Sequence, residues 1–155
     1  MLLLGEAPGE DEDKTGLPFQ GEAGRVLNSL LREAGIERAS VWITNAALCR
    51  PTVGDPARNR APLQPEVTAC APHLDAQLAV IRPSVIVTLG VIPARRMLGD
   101  GIQLESDHGR PVSAGGVIVI PTFHPASLHW RAGRRAAAVA DLRQAGELAR
   151  VPAGG

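Results

Sequence analysis

The chain has 155 residues, of which 45% are hydrophobic and 21% are charged, an ordinary composition for a globular protein. Sixteen basic residues balance sixteen acidic ones, so the overall charge indicates no nucleic-acid partner, although a local basic patch stays open. No apolar run reaches the ~20 residues of a membrane span, and no signal peptide is evident. We therefore expect a cytoplasmic protein that does not contact membranes, with one domain over 1–150 and a flexible tail over 151–155.

Hydrophobic runs in the sequence predict alternating strands and helices. Strands are expected at 2–5, 41–44, 84–89 and 117–121, with a weak strand at 102–105. Helices are expected at 22–34, 64–81, 91–98 and 134–149. This alternation is typical of a three-layer α/β/α domain with a central, mostly parallel, four-stranded sheet. The β-branched run at 85–89 suits a central strand that is buried on both faces.

Two long loops, 6–20 and 46–62, follow the first two predicted strands. Structureless connections of this length are uncommon in a compact domain unless they are functional. A third polar segment follows the last predicted strand and begins near His124. Because ligands bind at the carboxyl ends of the strands in open parallel sheets, the three segments are expected to converge on one cleft.

The first polar segment contains two glycines and a proline between Gly5 and Glu10. Such a turn can point successive backbone N–H groups at a carbonyl oxygen or an anion. An ordinary turn between a strand and a loop is the alternative. The segment is not a phosphate-binding loop of the Walker type, because no Gly-Lys-Ser/Thr follows it.

Three single side chains in these segments are candidate ligand contacts. Phe19 lies in a glycine-bracketed loop, where it can either stack on a flat ligand or plug the space beneath the loop. Asn45 ends the second predicted strand and can donate and accept hydrogen bonds at the edge of a pyrimidine, or else form a turn. His124 precedes a proline, which favours an extended backbone, and can donate a hydrogen bond to charge that develops on a ligand.

Taken together, the motifs resemble the uracil-DNA glycosylase superfamily, and most closely its family-four, iron–sulfur branch. They occur in the family's order and cover nearly the whole chain. The matching segments are GEAPGEDED at 5–13, GLPFQGEAG at 16–24, TNAALCRP at 44–51, NRAP at 59–62, VIVTLG at 85–90 and PTFHPA at 121–126. The resemblance implies a strand order of about 2-1-3-4 and hydrolysis of the N-glycosidic bond of uracil in DNA.

The resemblance also assigns roles to individual residues around the base. Phe19 would stack on the flipped uracil, and Asn45 would read its polar edge. Glu10 would lie against C5 of the pyrimidine and exclude the methyl group of thymine.

The same resemblance implies how the bond is broken. His124 would stabilise the negative charge that collects on O2 of the uracil, and the backbone around Glu6 and Ala7 would face the same oxygen. Some branches of the superfamily place an Asp at the position of Ala7 to activate water, which this chain cannot do. Catalysis would then depend on stabilising the leaving base, with water adding late.

The cysteines depart from the pattern of the family-four branch. A [4Fe–4S] cluster ordinarily needs four thiolates, and this chain supplies Cys49 and Cys70 only. Either a longer chain provides a further pair before the first strand, or the cluster is absent. The segment between the two cysteines also looks longer than usual, around 53–56.

Several residues are candidate contacts to DNA. The expected set consists of Arg58, Arg60, Ser127, Leu128 and Arg131. Either Leu128 or Trp130 would wedge into the duplex, and Arg134 and Arg135 are either phosphate contacts or part of a solvated helix face. We expect a monomer that acts on single- or double-stranded DNA containing uracil. A related branch bonds covalently to the abasic site through a His, and residues 50–62 contain none.

Two other functions remain open at this point. The first is a non-catalytic homologue that binds damaged DNA, which the missing cysteines favour. The second is a glycosylase for another deaminated base such as hypoxanthine, which requires that Glu10 does not restrict the pocket. Excision assays on several bases distinguish these functions from uracil excision.

Overall fold

The computed structural model of the chain describes residues 1–128 and 131–150, so the tail predicted at 151–155 lies outside the described residues. The strands of the described part are β1 (Leu2–Gly5), β2 (Trp42–Asn45), β3 (Thr52–Val53), β4 (Arg58–Asn59), β5 (Val85–Leu89), β6 (Val112–Ala114) and β7 (Val117–Thr122). Its α-helices are α1 (Glu10–Thr15), α2 (Glu22–Glu33), α3 (Gln64–Ile81), α4 (Val91–Leu98), α5 (Leu104–Asp107) and α6 (Ala132–Arg150). None of these helices is both long and apolar enough to cross a membrane.

A five-stranded sheet of order β2-β1-β5-β7-β6 forms the centre of the fold. The first four strands run parallel, whereas β6 pairs antiparallel with β7. The predicted α/β class and the predicted order of the four parallel strands are confirmed. The fifth strand was missed because it is short and largely exposed. It returns into β7 through Gly115 and Gly116, whose positive φ angles suit a tight hairpin turn.

Alternate side chains of the strands enter two separate core layers. On β1, Leu3 joins a cluster with residues of α2 and α6, whereas Leu2 and Leu4 face Leu74 of α3. Helix α2 packs on the first of these layers through an apolar stripe, whose buried leucines are Leu27, Leu30 and Leu31. The fold therefore has the three layers that the alternation predicted.

Three local predictions were wrong. The segment predicted as a weak strand at 102–105 runs into the short helix α5. Loop 6–20 contains α1, and loop 46–62 contains the β3–β4 hairpin. Helix α1 has no buried residue and so has no apolar stripe to recognise, and the acidic residues of its first turn favour the helix through its dipole.

Candidate active site

A cavity of about 370 Å³ opens at the carboxyl ends of β1, β2 and β7. All six residues that the sequence placed around a bound base line it, namely Glu6, Ala7, Glu10, Phe19, Asn45 and His124. Glu12, Asn59 and Arg60 line it as well. The parallel strand order brings the segments together, since their ends lie on one edge of the sheet.

The pairing of β1 with β2 sets the floor of the cavity. Gly5 lies opposite Asn45 at the ends of the two strands. The parallel hydrogen bonds continue beyond β1, because Ala46 N–H donates to Gly5 O and Ala47 N–H donates to Glu6 O, both at 2.9 Å. The backbone of Glu6 is therefore held beside the strand end that carries Asn45.

Asn45 offers the cavity a buried, unpartnered oxygen. Its side chain is 6% exposed, and within residues 1–128 and 131–150 its Oδ1 has no hydrogen-bond partner. A Cβ atom on Gly5 would overlap this oxygen and would lie 2.6 Å from the Phe19 ring. Glycine at position 5 thus leaves room for both side chains, and Oδ1 is free to accept a hydrogen bond from a ligand.

Phe19 is held in a backbone conformation that non-glycine residues rarely adopt. Its φ is +55°, and such strain persists only where the surrounding structure enforces it. The N-terminal part of α2 lies directly on the loop, because a Cβ on Gly24 would overlap the Phe19 carbonyl. The ring is buried, and its centroid is 6.1 Å from that of His124.

The Glu12 carboxylate joins two walls of the cavity. It accepts backbone N–H bonds from Gln20 and Gly21 at 2.8 Å and from Gly9 at 3.0 Å. Burial acts to raise its pKa, but these donors outweigh burial and hold the pKa below its usual value. Sequence reasoning gave Glu12 no role. Its position three residues after Gly9, the N-cap of α1, was the available signal.

Two further glutamates of the site, Glu6 and Glu10, lie in different environments. Glu6 is half-buried, and burial raises its pKa. The Glu10 side chain is 56% exposed, lies 2.6 Å from Lys14 Nζ and 3.6 Å from Arg50, and has a lowered pKa because of these cations, Lys14 above all. Glu10 therefore lies at the mouth of the cavity as a carboxylate.

His124 is neutral and has a defined tautomer. Its Nδ1 accepts the Ala126 N–H at 3.1 Å, which leaves the ring proton on Nε2. Burial lowers the pKa of the imidazole, so the ring is uncharged at neutral pH. The result is an N–H donor that carries no charge of its own.

The residues expected to contact DNA have different surroundings. Arg58 is exposed on β4, and Arg131 is exposed just before α6. Arg60 is engaged within the protein, where it pairs through two nitrogens with Glu66 and donates to the carbonyls of Thr52 and Ala61. Its guanidinium holds the β3–β4 hairpin onto the start of α3.

One of the two residues expected to wedge into the duplex is buried. Leu128 is 3% exposed and packs in the core beside α2 and α6, so in this conformation it is not available to a duplex. Trp130, the alternative wedge, lies outside the described residues.

Ser127 is exposed, and its hydroxyl donates to His124 O at 2.8 Å. Arg134 pairs with Glu105, and Arg135 pairs with Glu33.

The cysteines do not form a four-thiolate site. Cys49 is exposed, and the half-buried Cys70 accepts the Leu48 N–H at 3.3 Å. Within the described ranges, no group of three or more His, Cys, Asp or Glu side chains could hold a metal ion. The residues present therefore do not fit a [4Fe–4S] cluster, whose usual requirement is four cysteines.

The fold and the cavity define a class of protein. An amide, an aromatic ring and a neutral imidazole at the carboxyl edge of a parallel sheet form a site for a flat, polar, heterocyclic ligand. The sequence model of the Uracil DNA glycosylase superfamily matches residues 1–144. The chain belongs to this superfamily.

Several curated proteins are similar to the chain over most of its length. A type-4 uracil-DNA glycosylase of Thermotoga maritima is 45% identical over 130 residues, which cover 83% of this chain and 65% of the relative. Its counterpart in Sulfurisphaera tokodaii is 37% identical, with 98% of this chain and 71% of the relative covered. That of Archaeoglobus fulgidus is 36% identical, with 96% and 76% covered. The chain thus spans about two thirds to three quarters of the length of these relatives.

Proposed function

We propose that the protein excises uracil from DNA by hydrolysing the N-glycosidic bond, which leaves an abasic site for base excision repair. The observation that carries this proposal is the convergence of Asn45, Phe19 and His124 on one cavity. The names of the relatives, which are uracil-DNA glycosylases, support the same reaction.

The cavity suits a base that has left the double helix. A flipped pyrimidine would lie against the Phe19 ring, where stacking replaces that lost from the duplex. The unpartnered Oδ1 of Asn45 would accept the N3–H of uracil, and the amide nitrogen would donate to O4. The strained Phe19 backbone and the backbone hydrogen bonds to the Glu12 carboxylate hold this geometry before the substrate arrives.

The chemical step breaks the C1′–N1 bond, and the electron pair leaves with uracil. The negative charge spreads to O2, where the Nε2–H of His124 and the backbone near Glu6 and Ala7 would donate to it. Water adds to C1′ and releases a proton, which the uracil anion or the solvent takes up. Because residue 7 is alanine, no carboxylate at this position activates the water, and stabilisation of the leaving base supplies most of the acceleration.

Substrate choice and DNA contact involve the rim of the cavity. Glu10 would lie near C5 of the base and disfavour thymine, because its carboxylate is held at the mouth by Lys14 and Arg50. The exposed Arg58 and Arg131, with Ser127, would contact phosphates.

We assign the protein to the cytoplasm, as a monomer that acts on single- or double-stranded DNA containing uracil. Cys49 and Cys70 would be cluster ligands only if further cysteines joined them.

A panel of substrates tests this function. Freshly purified protein is incubated with single-stranded uracil DNA and with U·G, T·G and hypoxanthine·C duplexes, and its visible absorbance is recorded to detect an iron–sulfur cluster. We expect release of uracil and retention of thymine. Release of hypoxanthine at a similar rate would favour a broader glycosylase. DNA binding without any release would contradict the proposal and favour a non-catalytic binder.

A further inference from the structure

A buried carboxylate lies behind the loop that carries His124. Asp141 of α6 is 5% exposed. Its Oδ2 accepts the Thr122 hydroxyl at 2.6 Å and lies 3.1 Å from Nδ1 of His108. Burying a carboxylate is costly unless it is paired and hydrogen-bonded, so this side chain needs a structural or functional reason.

The chain after His108 is shaped to fit against this carboxylate. Gly109 has a φ of +72°, and a Cβ there would overlap Asp141 Oδ1. Its N–H donates to Pro121 O at 2.8 Å. Glycine at this position therefore brings the His108 segment against both Asp141 and the end of β7.

Both residues that precede His124 are held by this group. Thr122 donates its hydroxyl to Asp141. Phe123 is buried, and its ring centroid lies 4.8 Å from that of His108. The Arg134 guanidinium also lies over the Phe123 ring, 5.1 Å from its centroid.

A second connection leads from Thr122 to the imidazole. Thr122 O accepts the Gly90 N–H at 2.9 Å. Gly90 lies against His124, because a Cβ on it would be 3.2 Å from the His124 Cβ and 3.6 Å from Cδ2 of the ring. The position of Thr122 thus sets both the chain that leads to His124 and the backbone against which the ring rests.

We propose that Asp141 is a positioning residue for His124, which it holds at the cavity through Thr122 and His108. Hydrogen bonds to a buried carboxylate have narrow distance limits, so this network fixes the end of β7 more tightly than apolar packing would. The effect of this positioning on the rate of uracil release rests on the proposed function. Its effect on the environment of the His124 ring does not.

The kinetic test uses Asp141→Asn and a matched control. The control is Asp75→Asn, which removes a charge from another aspartate, paired with Arg96 at 2.6 Å between α3 and α4 on the opposite face of the sheet. In single-turnover uracil release, Asp141→Asn should lower the rate constant about 10- to 100-fold, the scale of a small displacement of a catalytic group. Affinity for uracil DNA should be nearly unchanged, and Asp75→Asn should stay within about twofold of the parent protein.

A double-mutant cycle separates positioning from a general structural effect. If Asp141 acts through His124, Asp141→Asn should cost less than about threefold in a His124→Ala background, because the group it positions is gone. Equal losses in both backgrounds would overturn the proposal. If Asp141→Asn does not fold, Thr122→Val and Thr122→Ser replace it in the same test. Of these two variants, only Thr122→Ser keeps the hydroxyl that donates to Asp141.

A spectroscopic readout needs no activity. Nitrogen-15 NMR of the His124 imidazole reports the tautomer that the Ala126 N–H selects. The ring signals should move in Asp141→Asn and Thr122→Val, and stay in place in Thr122→Ser and Asp75→Asn. Unchanged His124 signals in the first two variants would overturn the proposal. If the parent protein released no uracil, the proposed function would fail and the NMR result alone would decide the role of Asp141.

Discussion

Gly24 lies against the backbone of Phe19 so closely that a Cβ on Gly24 would overlap the Phe19 carbonyl oxygen. This contact links the packing of α2 to the aromatic wall of the cavity. Because Phe19 already has a φ of +55°, the loop cannot move away without losing the conformation that places its ring in the cavity.

We therefore expect Gly24→Ala to affect both stability and the cavity. The added methyl should lower the free energy of unfolding by about 1–3 kcal/mol, as overpacking does, and should reduce uracil excision by displacing Phe19. Urea unfolding and an excision assay measure the two effects. Gly133→Ala is the control, because among the described residues nothing lies within 4 Å of a Cβ at that position. A Gly24→Ala protein with full stability and activity would contradict this account.

Asn45→Ala should separate activity from stability. In the described structure, Asn45 Oδ1 has no hydrogen-bond partner to lose, so the free energy of unfolding should change by less than about 1 kcal/mol. Excision should fall by about 10²-fold or more, since the site would no longer recognise the polar edge of the base. A large loss of stability with an equally reduced fraction of active protein would assign Asn45 a structural role instead.

The two arginines of the β3–β4 hairpin region form a matched pair for DNA binding. Arg58→Ala should weaken binding to DNA of any sequence and lower the salt slope of the affinity by about one, as the loss of a phosphate contact does. Arg60→Ala should mainly lower stability, because it leaves the Glu66 carboxylate without its bidentate partner. Salt titrations and unfolding curves distinguish the two variants. The opposite pattern would make Arg60 the phosphate contact and Arg58 the structural residue.

Glu66 should make the stability of the protein depend on pH in the acid range. The Arg60 hydrogen bond, with the Leu63 N–H, lowers the pKa of Glu66 from 4.5 to about 2. Because the folded value lies below the unfolded one, this contribution is complete above pH 4.5 and is lost as the pH falls towards about 2.

Glu66→Gln should therefore flatten the pH dependence of unfolding in this range. Chemical denaturation at several pH values gives the comparison, with the exposed Glu37→Gln as control. If the parent protein and Glu66→Gln lost stability in parallel between these pH values, the Arg60–Glu66 pair would not be the cause.

The sequence predicted the parts of the fold that have strong periodic patterns. The apolar stripe of α2 and the β-branched run of β5 have clear signals, and the order of the parallel strands followed from the resemblance. Each candidate around the base ends a strand, follows one shortly afterwards, or lies in a glycine-rich loop, which is why these cavity-lining residues could be named in advance.

The parts that were missed depend on tertiary contacts, which leave no periodic pattern in the sequence. Nothing in the local pattern shows that Arg60 pairs with Glu66, or that Leu128 turns into the core. Glu12 lies on a helix without a buried face, and its role as an acceptor for Gln20 and Gly21 depends on how two loops meet. Tertiary packing decides such positions, and a local motif cannot report it.

In the proposed reaction, the neutral His124 imidazole stabilises the departing uracil. Single-turnover release from a uracil-containing oligonucleotide, with DNA affinity measured in parallel, tests it most directly in the parent protein and in His124→Ala. We predict a loss of about 10²–10³-fold in the rate constant, as when one preorganised donor is removed, with an affinity that is nearly unchanged. Equal losses in rate and affinity, or a rate that survives the substitution, would rule out this role of His124.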